Sequence, residues 1–157
     1  MQTNQWFSIF SMRLVIKQPI NKVFEFVSHL ENFSLFYPSI KKMVQAEGKS
    51  PAVGVGYNEE LKGFGQLSSR HMITSITDLE KNKKVGLKTN DGIIDFQVYY
   101  YFLPLDNNTT EVLYHGGSYK KFNPVFLWFA IPLFKLRLSK EIQGAMRNLK
   151  KILEQNF

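Results

Sequence analysis

The chain of 157 residues contains no cysteine. Disulfides, thiolate nucleophiles and zinc–thiolate sites are thereby excluded, so packing alone must stabilise the fold, in keeping with a reducing compartment. It also lacks a long hydrophobic run. The longest apolar stretch, 125–134, contains Pro132 and is about half of the roughly 20 residues that a membrane crossing needs. Residues 1–14 lack the charged start, apolar middle and small-residue cleavage site of a secretory signal, so a cytoplasmic protein is expected. Histidine is scarce: His29, His71 and His115 lie on separate segments with no metal-ligand spacing, and no metal or cofactor is expected. Ser68, Ser69, Ser75 and Ser118 have no glycine-flanked nucleophile elbow, and Gly54-Val55-Gly56 opens no phosphate-binding helix. No catalytic constellation is expected.

Missing as well is any dense tract of one charge. The net charge of +7 is spread over Lys41, Lys42, 81–84, Lys120, Lys121 and the C-terminal helix, which reads mainly as a solvated face. A basic surface attracts anionic headgroups or nucleic acid, but no nucleic-acid motif accompanies the charge, so nucleic acid is not an expected partner.

What the chain does have is apolar mass. With 44% hydrophobic and 15% aromatic residues, 1–157 suffices for one domain with a substantial core. Its last third, 123–157, predicts a long helix: Asn123 is suited to the cap and Pro124 to the first helical position. From Leu138 onward, Ile142, Ala145, Met146, Leu149, Ile152 and Leu153 recur at steps of three and four, giving one buried face. The first half is apolar nearly all round, with a bend expected at Pro132. Some thirty residues at 1.5 Å each span roughly 45 Å, the width of a small domain.

Upstream, 6–17 alternates as a half-buried strand, with Phe10, Met12, Leu14 and Ile16 on one parity. Ile20, Val23, Phe24, Val27 and Leu30 then follow helical spacing, with Asn21, Lys22, Glu25 and Ser28 on the wet side, and 33–37 makes one further turn before Pro38. Six strand-like runs follow, at 40–46, 56–62, 66–77, 84–89, 93–103 and 109–116, separated by short segments rich in Gly, Asn, Asp, Pro or Lys. Short links imply antiparallel neighbours. The fold class is therefore α+β: a curved seven-stranded antiparallel sheet wrapped around the C-terminal helix, with two short helices between strands one and two.

This order, and the wording of several segments, resembles the SRPBCC superfamily of START and Bet v 1-like helix-grip proteins. The resemblance rests on Pro19, Val23, Phe24, Val27, Leu30, Phe33, Tyr37, Pro38, Ile40 and Lys41, on Gly54-Val55-Gly56, on Thr110-Glu111-Val112, and on the closing Leu149-Lys150-Lys151-Ile152-Leu153-Glu154. Among its branches, the polyketide cyclase/dehydrase-like and coenzyme Q-binding ones are nearest. The resemblance implies a cavity between sheet and long helix for an apolar small molecule or lipid, in members that range from carriers to cyclases and hydrolases.

The residues suggest how such a cavity is lined. Phe96, Val98, Tyr100 and Phe102 share one parity of the sixth strand, beside Val112 and Tyr114 on the seventh, while Asp95, Gln97 and Tyr99 take the other face. Phe126, Phe129 and Leu133 extend the lining onto the helix. Tyr57 and Glu59 share a face of the third strand, Arg70, Met72 and Thr74 one of the fourth. A turn centred on Phe64 and Gly65 would set Glu59 opposite Arg70, giving a polar anchor for a carbonyl or carboxylate. The bland readings are plain core for the aromatics and an exposed cross-strand ion pair of about 0–1 kcal/mol for Glu59 and Arg70. Finally, Lys120, Lys121 and Phe122, followed by 125–134 and then Lys135 and Arg137, suit the headgroup boundary of a bilayer, so peripheral membrane contact is a further expectation. Binding or transfer of an apolar molecule is the leading functional reading, with a cyclase, dehydratase or hydrolase, or a membrane-docking module, as alternatives.

Overall fold

In a computed structural model the described residues are 7–46, 48, 50–62, 70–90, 95–118 and 124–155, with side chains left aside at Phe7, Arg70 and 124–135. Seven strands form one antiparallel sheet: β1 (Phe7–Ile16), β2 (Ile40–Gln45), β3 (Gly56–Leu61), β4 (Arg70–Glu80), β5 (Lys84–Asn90), β6 (Asp95–Asp106) and β7 (Thr109–Ser118). Their order is β1-β7-β6-β5-β4-β3-β2, so sequential strands are neighbours except that β1 closes onto β7. Between β1 and β2 lie α1 (Ile20–Ser28), a 3-10 turn (Leu30–Asn32) and α2 (Phe33–Phe36); α3 (Pro124–Gln155) ends the architecture. The expected α+β helix-grip arrangement is the one observed.

Period two places Leu14 and Ile16 of β1 in the core and Arg13 and Val15 outside. In α1, Val23, Phe24 and Val27 face inward as the spacing predicts. Ser28, expected on the wet side, is buried instead. Its hydroxyl donates to the Glu25 carbonyl at 3.0 Å, which removes the cost of burying it.

The C-terminal half of α3 covers the sheet. Ile142, Ala145, Met146, Leu149 and Leu153 are at most 1% exposed, and full burial of a large aliphatic side chain stabilises by about 1.5–3 kcal/mol. Polar contacts fix its register on β1: Gln18 Nε2 donates to the Leu153 carbonyl at 2.9 Å, and the Lys17 amide to Glu154 Oε1 at 2.8 Å. Asn148 Nδ2 donates to the Phe36 carbonyl at 3.1 Å, tying α2 to the same helix. The helix continues unbroken through Pro132. The expected cap, Asn123, lies outside the described residues.

Two details differ from the sequence expectation. β4 runs on to Glu80, where a turn was expected from Asp78; a register irregularity between Ile76 and Asp78 absorbs the extra residue, and Asn82 takes the left-handed φ of 57° in the tight turn that follows. The irregularity uses the missing side chain of Gly86, whose Cβ would lie 2.8 Å from Asp78 Oδ2. Second, β3 and β4 pair Tyr57 with Thr74, Glu59 with Met72 and Leu61 with Arg70.

Candidate functional site

The inner face of the sheet is filled differently at its two ends. Around Ile16, Val112, Phe102, Leu149 and Leu153 it is closed by α1 and α3. Towards the other end a cavity of about 300 Å³ remains between the sheet, α2 and the middle of α3. Its walls come from Met43 on β2, Glu59 and Leu61 on β3, Met72 and Thr74 on β4, Leu87 and Thr89 on β5, Phe96, Val98 and Tyr100 on β6, and Tyr114 on β7. Phe33, Tyr37 and Ser39 close it on the α2 side, and Leu138, Glu141 and Ile142 on α3. Ser39 donates its amide to Glu141 Oε1 at 2.9 Å, joining the turn before β2 to the covering helix.

Period two explains which side chains enter. On β6 the even positions Phe96, Val98 and Tyr100 point inward, so the expected aromatic wall is present. Gly116, next on the inward parity of β7, is small for a reason: a Cβ there would lie 3.0 Å from Phe96 Cζ and 3.1 Å from Tyr114 Oη.

Polar groups gather at two places. Tyr37 Oη lies 2.6 Å from Tyr100 Oη, and the Tyr114 phenol stands beside this pair. The rings pack edge-on, with Tyr100 and Tyr114 at 5.3 Å and Phe33 and Tyr100 at 6.0 Å between centroids. Burial, reinforced by the neighbouring phenols, pushes all three phenols well above their ordinary range, so they are protonated donors at neutral pH. Second, Glu59, 8% exposed, accepts from Thr74 Oγ1 at 2.7 Å, and Thr74 Oγ1 lies 2.7 Å from Thr89 Oγ1. Burial raises the Glu59 carboxyl above the usual glutamate range, and the Thr74 hydrogen bond offsets part of that rise.

Of the residues expected at the site, Glu59, Met72, Phe96, Val98, Tyr100 and Tyr114 line this cavity. Tyr57 does not. It is fully buried beside the cavity, its hydroxyl has no hydrogen-bond partner among the described residues, and burial, with a contribution from Glu31, pushes it up to about 12. The Glu59–Arg70 pairing is corrected by the register: Glu59 stands opposite Met72, and Arg70 is two positions further along. The assumed turn at Phe64 and Gly65 is what placed it wrongly. Thr74 is the partner instead. The side chains of Arg70, Phe126, Phe129 and Leu133 lie outside the described residues, and Leu138, Glu141 and Ile142 are the described contributors from α3.

Sequence reasoning missed Tyr37, Thr89 and Glu141 as site residues. Tyr37 had a signal, since the chain must turn at Pro38 and a buried tyrosine there needs a partner for its hydroxyl. Among the described residues no cluster of three or more metal-ligating side chains occurs, and no helix is long and apolar enough to cross a membrane.

The model of a family described as polyketide cyclase/dehydrase and lipid transport matches residues 9–154. No curated protein matches the sequence. Among solved structures, a START superfamily protein from Mycobacterium smegmatis superposes with a TM-score of 0.72 at 16% identity, over 94% of this chain and 98% of that one. The Zhui aromatase/cyclase from a Streptomyces species gives 0.72 at 10% identity, over 96% and 95%. The di-domain ARO/CYC StfQ of the steffimycin biosynthetic pathway gives 0.72 at 13%, over 98% of this chain and 52% of that one. At such identities the likeness is one of fold. The family model, by contrast, spans nearly all of the sequence, and the chain belongs to the polyketide cyclase/dehydrase and lipid transport family.

Proposed function

We propose that the protein binds or carries an apolar small molecule or lipid in the cavity between the sheet and α3. One observation carries this reading: a hollow of about 300 Å³, walled mainly by aliphatic and aromatic side chains, stands beside a core that is closed everywhere around Leu149. Its volume is at the lower end of the range of about 300–1,000 Å³ usual for small-molecule sites, and its few polar groups converge on two points as such sites do. An apolar hollow with no occupant loses dispersion contacts in proportion to its size, so a fold that keeps one gains when a guest fills it.

Native mass spectrometry of gently purified protein tests this. A neutral mass adduct that disappears on denaturation is expected. Repeated ligand-free spectra together with no uptake of the neutral dye Nile red reject the reading. Residence in the cytoplasm and contact with a membrane through 122–134 are part of the same proposal; vesicle flotation that Trp128→Ala does not weaken removes the membrane contact.

A second reading is favoured by the buried acid: Glu59 and Tyr100 would polarise a bound carbonyl in a cyclase or dehydratase, the activity that the family description includes. Glu59→Gln turning over a candidate substrate as fast as the wild type removes it.

A further inference from the structure

The two sides of the molecule carry their charge differently. On the outer face of the sheet, cations stand beside acids: Arg13 Nε lies 3.4 Å from Glu111 Oε1, Lys41 Nζ 2.8 Å from Glu60 Oε1, and Lys84 Nζ 3.0 Å from Asp78 Oδ1. Helix α3 does not repeat this pattern. It holds six cations and two acids, so this one element supplies a surplus of four towards the chain's net charge of +7. Both acids are already engaged, Glu141 with the Ser39 amide at 2.9 Å, and Glu154 with the Lys17 amide at 2.8 Å and Lys150 Nζ at 2.9 Å.

The surplus is concentrated along one line. Lys140, Arg147 and Lys151 are spaced by seven and four residues, which places them within about 40° of one another around the helix and over about 16 Å of its length. That line is opposite the buried stripe of Ile142, Ala145, Met146, Leu149 and Leu153. All three cations are exposed, and among the described residues none has an ion pair or a side-chain hydrogen bond. Leu136, one turn before Lys140, is 56% exposed on the same side, and the unbroken helix runs back from it into the apolar sequence 125–134. Protein interfaces are centred on aromatic and apolar anchors with charge at the rim, and this line has three cations and no such centre. A layer of anionic headgroups asks for what is present: a charged line adjoining an apolar stretch on one helix.

We propose that the solvent face of α3, through Lys140, Arg147 and Lys151, docks the protein onto a lipid bilayer carrying anionic headgroups, with the sheet facing away. This deepens the membrane contact proposed above by naming the lipid class and the surface that meets it. Docked in this way, the cavity stands about one helix diameter, roughly 10 Å, from the headgroups.

Sedimentation of the whole chain with extruded phosphatidylcholine vesicles, with and without phosphatidylglycerol, tests it. The wild type should partition onto the anionic vesicles at least about tenfold more tightly than onto the neutral ones, and the difference should shrink as salt is raised. Lys140→Gln, Arg147→Gln and Lys151→Gln together should weaken anionic binding about fivefold for each cation, on the order of a hundredfold in all. The matching change on the sheet side, Lys42→Gln, Lys83→Gln and Lys88→Gln, alters net charge equally and should cost less than about fivefold in all. All six positions are exposed, so both triple variants should keep the wild-type fold, as read by circular dichroism. Equal partition onto the two kinds of vesicle, equal losses in the two triple variants, or no partition onto either overturns the assignment. Anionic binding that survives Trp128→Ala but fails in the α3 triple variant upholds it and removes only the contact through 122–134. Binding lost in Trp128→Ala and kept in the α3 variant does the reverse. Uptake of Nile red reports on the binding function separately from both.

Discussion

Gly116 offers a sharp test because one methyl group there acts on packing and on the cavity together. The Cβ of Gly116→Ala would sit 3.0 Å from Phe96 Cζ, 3.1 Å from Tyr114 Oη and 3.2 Å from Tyr114 Cε1, so something must give by a few tenths of an ångström. Removing a glycine from a strand favours folding by about 0.4–1 kcal/mol, through the lost freedom of the unfolded chain. Overpacking opposes it with about 1–3 kcal/mol. Which wins depends on who can move. Phe96 is only half-buried, but Tyr114 is 2% exposed and wedged between Tyr100 at 5.3 Å and Phe10 at 6.1 Å, so the crowding cannot be relieved on its side. We expect a net loss of about 1–2 kcal/mol, or about 2–8 °C in Tm for a chain of this length. Differential scanning calorimetry of the wild type, Gly116→Ala, Phe96→Leu and the double variant closes the cycle, and Phe96→Leu should recover at least half of the loss by making room. An unchanged or higher Tm in Gly116→Ala, or a loss that Phe96→Leu does not touch, refutes the packing argument.

Other outcomes follow from features of the same face. Tyr57→Phe removes a buried hydroxyl that has no partner among the described residues and should leave urea stability unchanged or raise it by about 1 kcal/mol; a drop of that size would mean that the hydroxyl is satisfied. Glu59 has a folded-state pKa raised by burial, so its contribution to stability is fully present below the ordinary glutamate range and is lost as pH rises through the folded value. Stability of the wild type in denaturant titrations should therefore fall as pH rises above that range, Glu59→Gln should flatten that fall, and parallel pH profiles would contradict the assignment. Leu149→Ala, at a fully buried position of α3, should cost about 2–5 kcal/mol in denaturant unfolding, and less than 1 kcal/mol would place the helix elsewhere.

The elements were legible in the sequence because each carries a period that one buried face imposes. Phe96, Val98 and Tyr100 alternate with Gln97 and Tyr99, and Ile142, Ala145, Met146, Leu149 and Leu153 mark a single stripe on α3. Register was not legible. Parity placed Glu59 and Met72 correctly on the inner face, but opposition depends on where a turn is centred, and displacing that centre by one residue moves every partner by two. Glu59 therefore met Thr74 in place of Arg70. Tyr37 and Glu141 escaped for another reason: they reach the cavity from a helix end and from the flank of an amphipathic stripe, where periodicity carries no information about what lies across the gap.

The closure of β1 onto β7 has a consequence for how the molecule comes into being. Residues such as Ile16 and Thr110 pair across about a hundred residues of intervening chain, and the α3 side chains that seal the inner face come later still. During synthesis the meander from β2 to β6 can form by local hairpins, but its inner face stays uncovered until the last third of the polypeptide has emerged. The nascent chain thus passes through an interval in which an adhesive surface is open to chaperones, and a hydrophobic guest present at that moment could be enclosed as the helix docks.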